Sequence, residues 1–295
     1  MDNNTEVTDQ LVPFGDPFIM LYDNMYYAYG THADDGIEVY MSPDLLTWQK
    51  SEQPALHKND TWADRWFWAP EVYYVNDKFY MYFSADEHIS VAVSDSPLGP
   101  FRQTIKKPML EGEKGIDNSL FIDEDGKAYL YFDRFNDGLN IWVAELEDDL
   151  QTIKENTMQK CIHVSQEWEE VWPRVNEGAF VLKYKDKYYM TYSANSYESP
   201  FYGIGYATAD SPLGPWTKYD KNPIYQKPDT LVGIGHSAMF TDKEGKLKIV
   251  FHAHHNRENI HPRNMNIADV SFTDDEVPVM QITGKILRPT LKDSK

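Results

Sequence analysis

Residues 89–101 read ISVAVSDSPLGPF, and residues 203–216 read GIGYATADSPLGPW. Both alternate apolar and small residues in period two, which marks a half-buried strand. Both then break into the same Ser-Pro-Leu-Gly-Pro turn. Two near-identical strand endings in one chain indicate an internal repeat. Three further segments share the layout: IEVYMSPDLLTW (37–48), NIWVAELEDDL (140–150) and NMNIADVSFTDD (264–275). Met41, Val93, Val143, Tyr206 and Ile267 align across the five.

A hairpin precedes each copy. Its second strand is YYAYG, FYMYFSA, AYLYF, YYMTYSA or LKIVFHA, and its turn carries the Asn, Asp and Gly that hairpins use. No segment has the periodicity of an amphipathic helix. Each unit therefore holds three or four antiparallel strands, too few to cover both faces of its own sheet. Packing five such units around an axis covers them. The chain is expected to be all-β, a five-bladed β-propeller forming one catalytic domain over residues 1–295, with blades starting near residues 16, 69, 117, 177 and 236.

Aligning the first strands on Ile19, Val72, Leu120, Phe180 and Met239 puts Asp16, Ala69, Asp117, Glu177 and His236 three residues upstream, in one shared slot. The first strand of a propeller blade is innermost, so these side chains should converge at the mouth of the central channel. Strands disfavour Asp, and neighbouring carboxylates repel one another. Three acids in five slots therefore point to chemistry. His32, Asp86, Asn195 and His254 end the second strands at the same mouth, and Arg263 follows in a loop. Trp62, Trp66, Trp68 and Trp172 precede blades two and four. Aromatic walls with a few converging polar groups suit a sugar.

The chain has 295 residues, a net charge of −19 and one cysteine, Cys161. The negative charge argues against nucleic-acid partners and anionic membranes. A single cysteine excludes an internal disulfide. No apolar run is long enough to span a bilayer. The opening MDNNTEVTDQ has no basic stretch followed by an apolar one, so no leader peptide is expected in it. Cytoplasmic and exported locations both stay open, as does the oligomeric state. His252 and His254, two apart on a strand, share a face as a zinc pair would, but strand alternation explains them equally well.

The motifs DPF at Asp16, WAPEV at Trp68–Val72, IDNSLF around Asp117, NEGAF around Glu177 and GHSAMF at His236, in this order along the chain, resemble glycoside hydrolase family 43. The resemblance implies an inverting hydrolase on a five-bladed propeller, acting on a plant-type oligo- or polysaccharide. It implies Asp16 as general base, Glu177 as general acid, and Asp117 as the carboxylate that orients the acid and raises its pKa. Trp68, His236 and Arg263 would meet the sugar. No cofactor is required; in some members a calcium ion lies in the central channel, held through water by the histidine at the place of His236. Long loops after the second strands of blades four and five favour a pocket, hence exo action and an α-L-arabinofuranosidase. β-Xylosidase or endo-xylanase-type activity, endo-arabinanase and β-galactan activity are the alternatives. A non-catalytic sugar-binding propeller is the alternative class.

Overall fold

The computed structural model describes residues 10–292 except 173, so the first nine and last three residues of the expected domain lie outside it. Short strands joined by Asn, Asp and Gly turns build five antiparallel blade sheets and one two-stranded ribbon, Gly36–Ile37 with Leu56–His57. The innermost strands of the blades are Gly15–Tyr22, Trp68–Val75, Gly115–Ile122, Asn176–Tyr184 and Gly235–Thr241. Each packs against the next, and the fifth packs against the first, which closes a five-bladed propeller. Helical structure among the described residues is confined to single 3₁₀ turns at 58–60, 155–157 and 167–170. No helix is long and apolar enough to cross a membrane.

The two ends of the described chain close the ring. Thr290–Leu291 joins the outer strand of blade one, Thr47–Lys50, in parallel register, and Leu11 bridges to Thr290. Tyrosine hydroxyls fasten neighbouring blades. Tyr29, Tyr82 and Tyr131, at matching positions on the second strands of blades one to three, donate to Pro97, Leu150 and Pro212 carbonyls of the following blade. The repeated Ser-Pro-Leu-Gly-Pro turns supply two of these three acceptors, which gives the repeat a structural purpose.

Two sequence alignments shift by small steps. On the third strands, the residues facing Tyr29, Tyr82, Tyr131, Thr191 and Val250 are Val39, Val91, Val143, Tyr206 and Ile267. Met41 and Val93 thus sit two places from the true match. A two-residue slip keeps a side chain on the same face, so the pattern hid it. In blade four the buried partner of the inner-strand anchors Ile19, Val72, Leu120 and Met239 is Val181, opposite Met190; Phe180 is one place early.

The cause of the second shift is a β-bulge that opens every innermost strand. Pairing breaks between Gly15 and Phe18, Trp68 and Glu71, Ile116 and Ser119, Glu177 and Phe180, and Gly235 and Ala238. The first bulged residue has positive φ in all five blades: Asp16, Ala69, Asp117, Gly178 and His236. Left-handed backbone disfavours a side chain, and four of these residues are not glycine. What holds them is a ring of hydrogen bonds. Each bulged amide donates to a side chain on the second strand of the preceding blade: Asp16 to His252, Ala69 to Thr31, Asp117 to Ser84, Gly178 to Asp133 and His236 to Ser193. The five acceptors are register equivalents, each opposite the residue before its own bulge. Ser84→Ala, which orphans the buried Asp117 amide, is expected to cost about 1–3 kcal/mol of stability by chemical denaturation. A change within error would remove the ring as a structural device.

Candidate active site

The bulges tip Asp16, Asp117 and His236 into the channel mouth. His236 Nδ1 lies 3.3 Å from Asp16 Oδ1 and 3.7 Å from Asp117 Oδ2. Glu177 reaches the same space from the position just before its bulge, where the other blades have Gly15, Trp68, Ile116 and Gly235. The shared slot of blade four is filled by Gly178. Four of the five expected residues thus occupy one slot and Glu177 its neighbour, yet the carboxyls converge. Oxygens of Asp117, Glu177 and a residue not singled out from sequence, Asp133, lie within 4.8 Å of one another.

Asp16 is held as an anion. The Arg263 guanidinium grips it with two hydrogen bonds, Nη1 to Oδ1 at 2.7 Å and Nη2 to Oδ2 at 3.0 Å, and Thr31 donates to Oδ2 at 2.6 Å. Burial by itself would raise its pKa. The Arg263 charge leads the interactions that outweigh that and hold it well below the usual carboxylate range. Gly15 makes the grip possible, because a Cβ there would sit 2.2 Å from the guanidinium carbon of Arg263. His252 accepts the Asp16 amide on Nδ1, so its proton is on Nε2. Burial and the Arg263 charge push its pKa down to about 3, so it is neutral.

Glu177 has the opposite environment. Burial, then the charge of Asp16, raise its pKa to about 7, although Tyr202 donates to Oε1 at 2.8 Å and works against that rise. Asp117 is also raised, first by burial and then by Glu177 and Asp16. The repulsion between Asp117 and Glu177 is mutual, so their proton losses belong to the group and not to one residue. The site thus keeps one carboxyl ionised beside a set that retains protons, the separation that acid–base chemistry needs.

The surrounding residues fall into two sets. Asn195 is a clamp: Oδ1 accepts from the Trp172 amide, and Nδ2 donates to the Trp168 and Phe201 carbonyls. Tyr197 packs under Arg263 at 4.6 Å and against His261, and its carbonyl meets His254 Nε2 at 2.7 Å, so the long loops of blades four and five interlock. Trp66 stacks on Trp68 with ring centres 5.9 Å apart, in a cleft of about 530 Å³ that also reaches Thr31 and Arg263. Trp66 and Trp172 are 44% and 47% exposed, more than core packing leaves. Trp62 is packing, with its indole N–H on Ser90. His32 pairs with Glu38, and Asp86 with Arg65, and both His32 and Arg65 line the cleft of Trp66 and Trp68.

His236 offers nitrogen, with Nδ1 facing Asp16, and calcium takes six to eight oxygens, so this ring would hold such an ion only through water, as the resemblance implies. Among the described residues His252 and His254 belong to no metal-ligand group. Sequence reasoning missed Tyr202 and Asp133. Asp133 had a signal, since YAYGT, MYFS, LYFDR, TYS and VFH align residues 31, 84, 133, 193 and 252 in one column. Tyr202 comes from a loop with no period.

The sequence model described as "Glycosyl hydrolases family 43" matches residues 12–278. A crystal structure of an endo-1,4-β-xylanase from Bacteroides thetaiotaomicron is 47% identical over 97% of this chain and 99% of that one, with a TM-score of 0.91. A β-D-galactofuranosidase, xynD, of Aspergillus niger is 26% identical over 95% of this chain and 86% of its own length. A xylosidase/arabinosidase of Bacteroides ovatus is 28% identical over 70% of this chain and 78% of its own length. With the propeller and the buried carboxyls at its mouth already in view, these matches show that the chain belongs to glycosyl hydrolase family 43 and is a glycoside hydrolase.

Proposed function

We propose that the protein is an inverting glycosidase of pentose-containing plant polysaccharides, releasing terminal α-L-arabinofuranosyl units. The observation that carries the mechanism is the contrast between Asp16, clamped as an anion by Arg263, and Glu177, whose proton is retained to about pH 7. Asp16 acts as general base. It takes a proton from water as the water oxygen attacks the anomeric carbon. Glu177 gives its proton to the departing glycosidic oxygen, and the bond to the anomeric carbon breaks. Asp117 orients Glu177 and helps keep its proton. Trp68, His236 and Arg263 hold the sugar. Inversion requires the base and acid to stand roughly 6.5–9.5 Å apart, with room for the water.

Interlocked loops of blades four and five support removal of end units over cleavage inside a long chain. A second reading, β-1,4-xylosidic bonds, is favoured by the 47% identity to a chain described as an endo-1,4-β-xylanase. The test is a panel of nitrophenyl pentosides, arabinan and xylan, with proton NMR of the first-formed sugar. Release of the inverted anomer from α-L-arabinofuranosides supports the reading. A retained anomer overturns inversion, and activity on xylosides alone moves the assignment to the second reading.

The pH profile follows from the same contrast. Asp16 works ionised, so kcat/KM falls as pH drops through its lowered pKa. Glu177 works protonated, so kcat/KM falls as pH rises through about 7. Arg263→Met removes the main force lowering the Asp16 pKa and leaves burial to raise it. The acid limb is expected to move up in pH by a unit or more, about 1.4 kcal/mol, and the basic limb to move up less, since Arg263 also holds the Glu177 pKa down. An unmoved acid limb would separate Asp16 from the base role.

A further inference from the structure

Asp133 is out of character at its position. The equivalent residues of the other blades are Thr31, Ser84, Ser193 and His252, none of them a carboxyl, and each accepts the next blade's bulged amide. Asp133 does the same, taking the Gly178 amide on Oδ2 at 3.1 Å. A hydroxyl would complete the ring there with nothing left over. The carboxyl leaves Oδ1, which is buried and has no partner, on a residue that is 0% exposed. A buried, unpartnered carboxylate oxygen carries a large desolvation cost.

A carboxyl oxygen of Asp133 belongs to the trio with Asp117 and Glu177. Asp117 has His236 Nδ1 at 3.7 Å; among the described residues Asp133 has no imidazole, Lys or Arg nitrogen at such a distance. The Asp117 and Asp133 carboxyls bring oxygens within 4.8 Å of one another, and a hydrogen bond between them would answer the orphaned oxygen. Two carboxylates accept and cannot donate, so such a bond exists only when one of them carries a proton. The proton removes the repulsion and gives the orphaned oxygen a partner in a single step.

We propose that Asp133 is a positioning residue for the glycosidase: protonated on Oδ1, it donates a hydrogen bond to Asp117 while Oδ2 holds the Glu177 strand through the Gly178 amide. The Asp117–Asp133 pair then carries one shared negative charge, aimed at Glu177, and Asp117 is fixed in the orientation that faces the acid. This rests on the proposed roles of Asp117 and Glu177 but goes beyond them. It adds a fourth carboxyl, one that does not touch the reacting atoms.

Two variants separate the role from simple packing. Asp133→Ser restores the acceptor used in blades two and four and removes the donor to Asp117. Asp133→Asn keeps an oxygen for the Gly178 amide and an N–H for Asp117. Expected for Asp133→Ser is a kcat lower by about 10- to 100-fold with KM nearly unchanged, the range that loss of a hydrogen bond to a charged group gives. Asp133→Asn is expected to recover most of that loss, with the two variants matching in Tm. Wild-type kcat in Asp133→Ser overturns the proposal, and so does a loss in Asp133→Asn as deep as in Asp133→Ser. Infrared difference spectra of the free protein at neutral pH supply a readout independent of turnover. Beside the band of Glu177, the wild type is expected to show a protonated-carboxyl band that Asp133→Asn loses, and an unchanged protonated-carboxyl region in Asp133→Asn overturns the proposal. Should the pentoside panel show no hydrolysis, the functional reading fails while this band still decides the protonation of Asp133.

Discussion

Glu177→Gln is expected to lower kcat by about 10²- to 10⁴-fold on substrates with a sugar leaving group, the range in which a general acid operates. The carboxamide has the shape of the acid, and its oxygen can still accept from Tyr202, as Oε1 does at 2.8 Å. Sugar binding and the fold should therefore survive, with KM and Tm close to wild type. The amide cannot give up a proton at neutral pH, so the glycosidic oxygen must leave as an alkoxide. Aryl glycosides with acidic phenols need less help and should lose much less. The basic limb near pH 7, set by the raised Glu177 pKa, should vanish with the carboxyl. Near-normal turnover of a natural linkage by this variant would take the acid role away from Glu177.

The reason for that raised pKa lies in the fold. Glu177 is the last paired residue before the bulge of blade four, and Gly178 takes the positive φ that Asp16, Asp117 and His236 take in blades one, three and five. Repeat spacing in the sequence brings residues 16, 117, 177 and 236 to one mouth, because five anchors recur at similar intervals and a propeller has one axis. It misplaces Glu177 by one residue, because an αL position can be filled by a glycine next to the acid as well as by the acid. From spacing alone the two cases look the same. The grip of Arg263 on Asp16 is legible only as a loop arginine near the mouth. Its two-pronged geometry depends on the space over Gly15, which no periodicity reports. Tyr202 and the clamp made by Asn195 depend on loop paths, and loop paths are set by tertiary contacts.

The same limit hides the contact whose loss should most damage stability. Glu169 sits in a 3₁₀ turn and Lys218 on the outer edge of blade four, 49 residues apart. Both side chains are buried. Lys218 Nζ reaches the two Glu169 oxygens at 2.6 and 2.8 Å, Asn176 Oδ1 at 2.8 Å and the His163 carbonyl at 2.6 Å. Glu169 also accepts from the Tyr192 hydroxyl and from the Ser165 and Gln166 amides. Every polar atom of this pair is used, which is the condition for a buried ion pair to be tolerated. Lys218→Met keeps the apolar stem but strands the carboxylate in a dry site. The expected loss is about 3–5 kcal/mol, read as a fall in Tm of about 5–15 °C for a chain of this size. Burial shields the pair from screening, so the loss should persist at high salt. Adding Glu169→Gln to Lys218→Met removes the stranded charge and should recover part of the stability, whereas two independent sites would add their losses. Asn176 immediately precedes Glu177, so the loosened strand should also lower kcat in Lys218→Met below what its folded fraction predicts. A variant with the wild-type Tm would mean that the pair contributes no net stability and that Asn176 is held by its strand pairing alone.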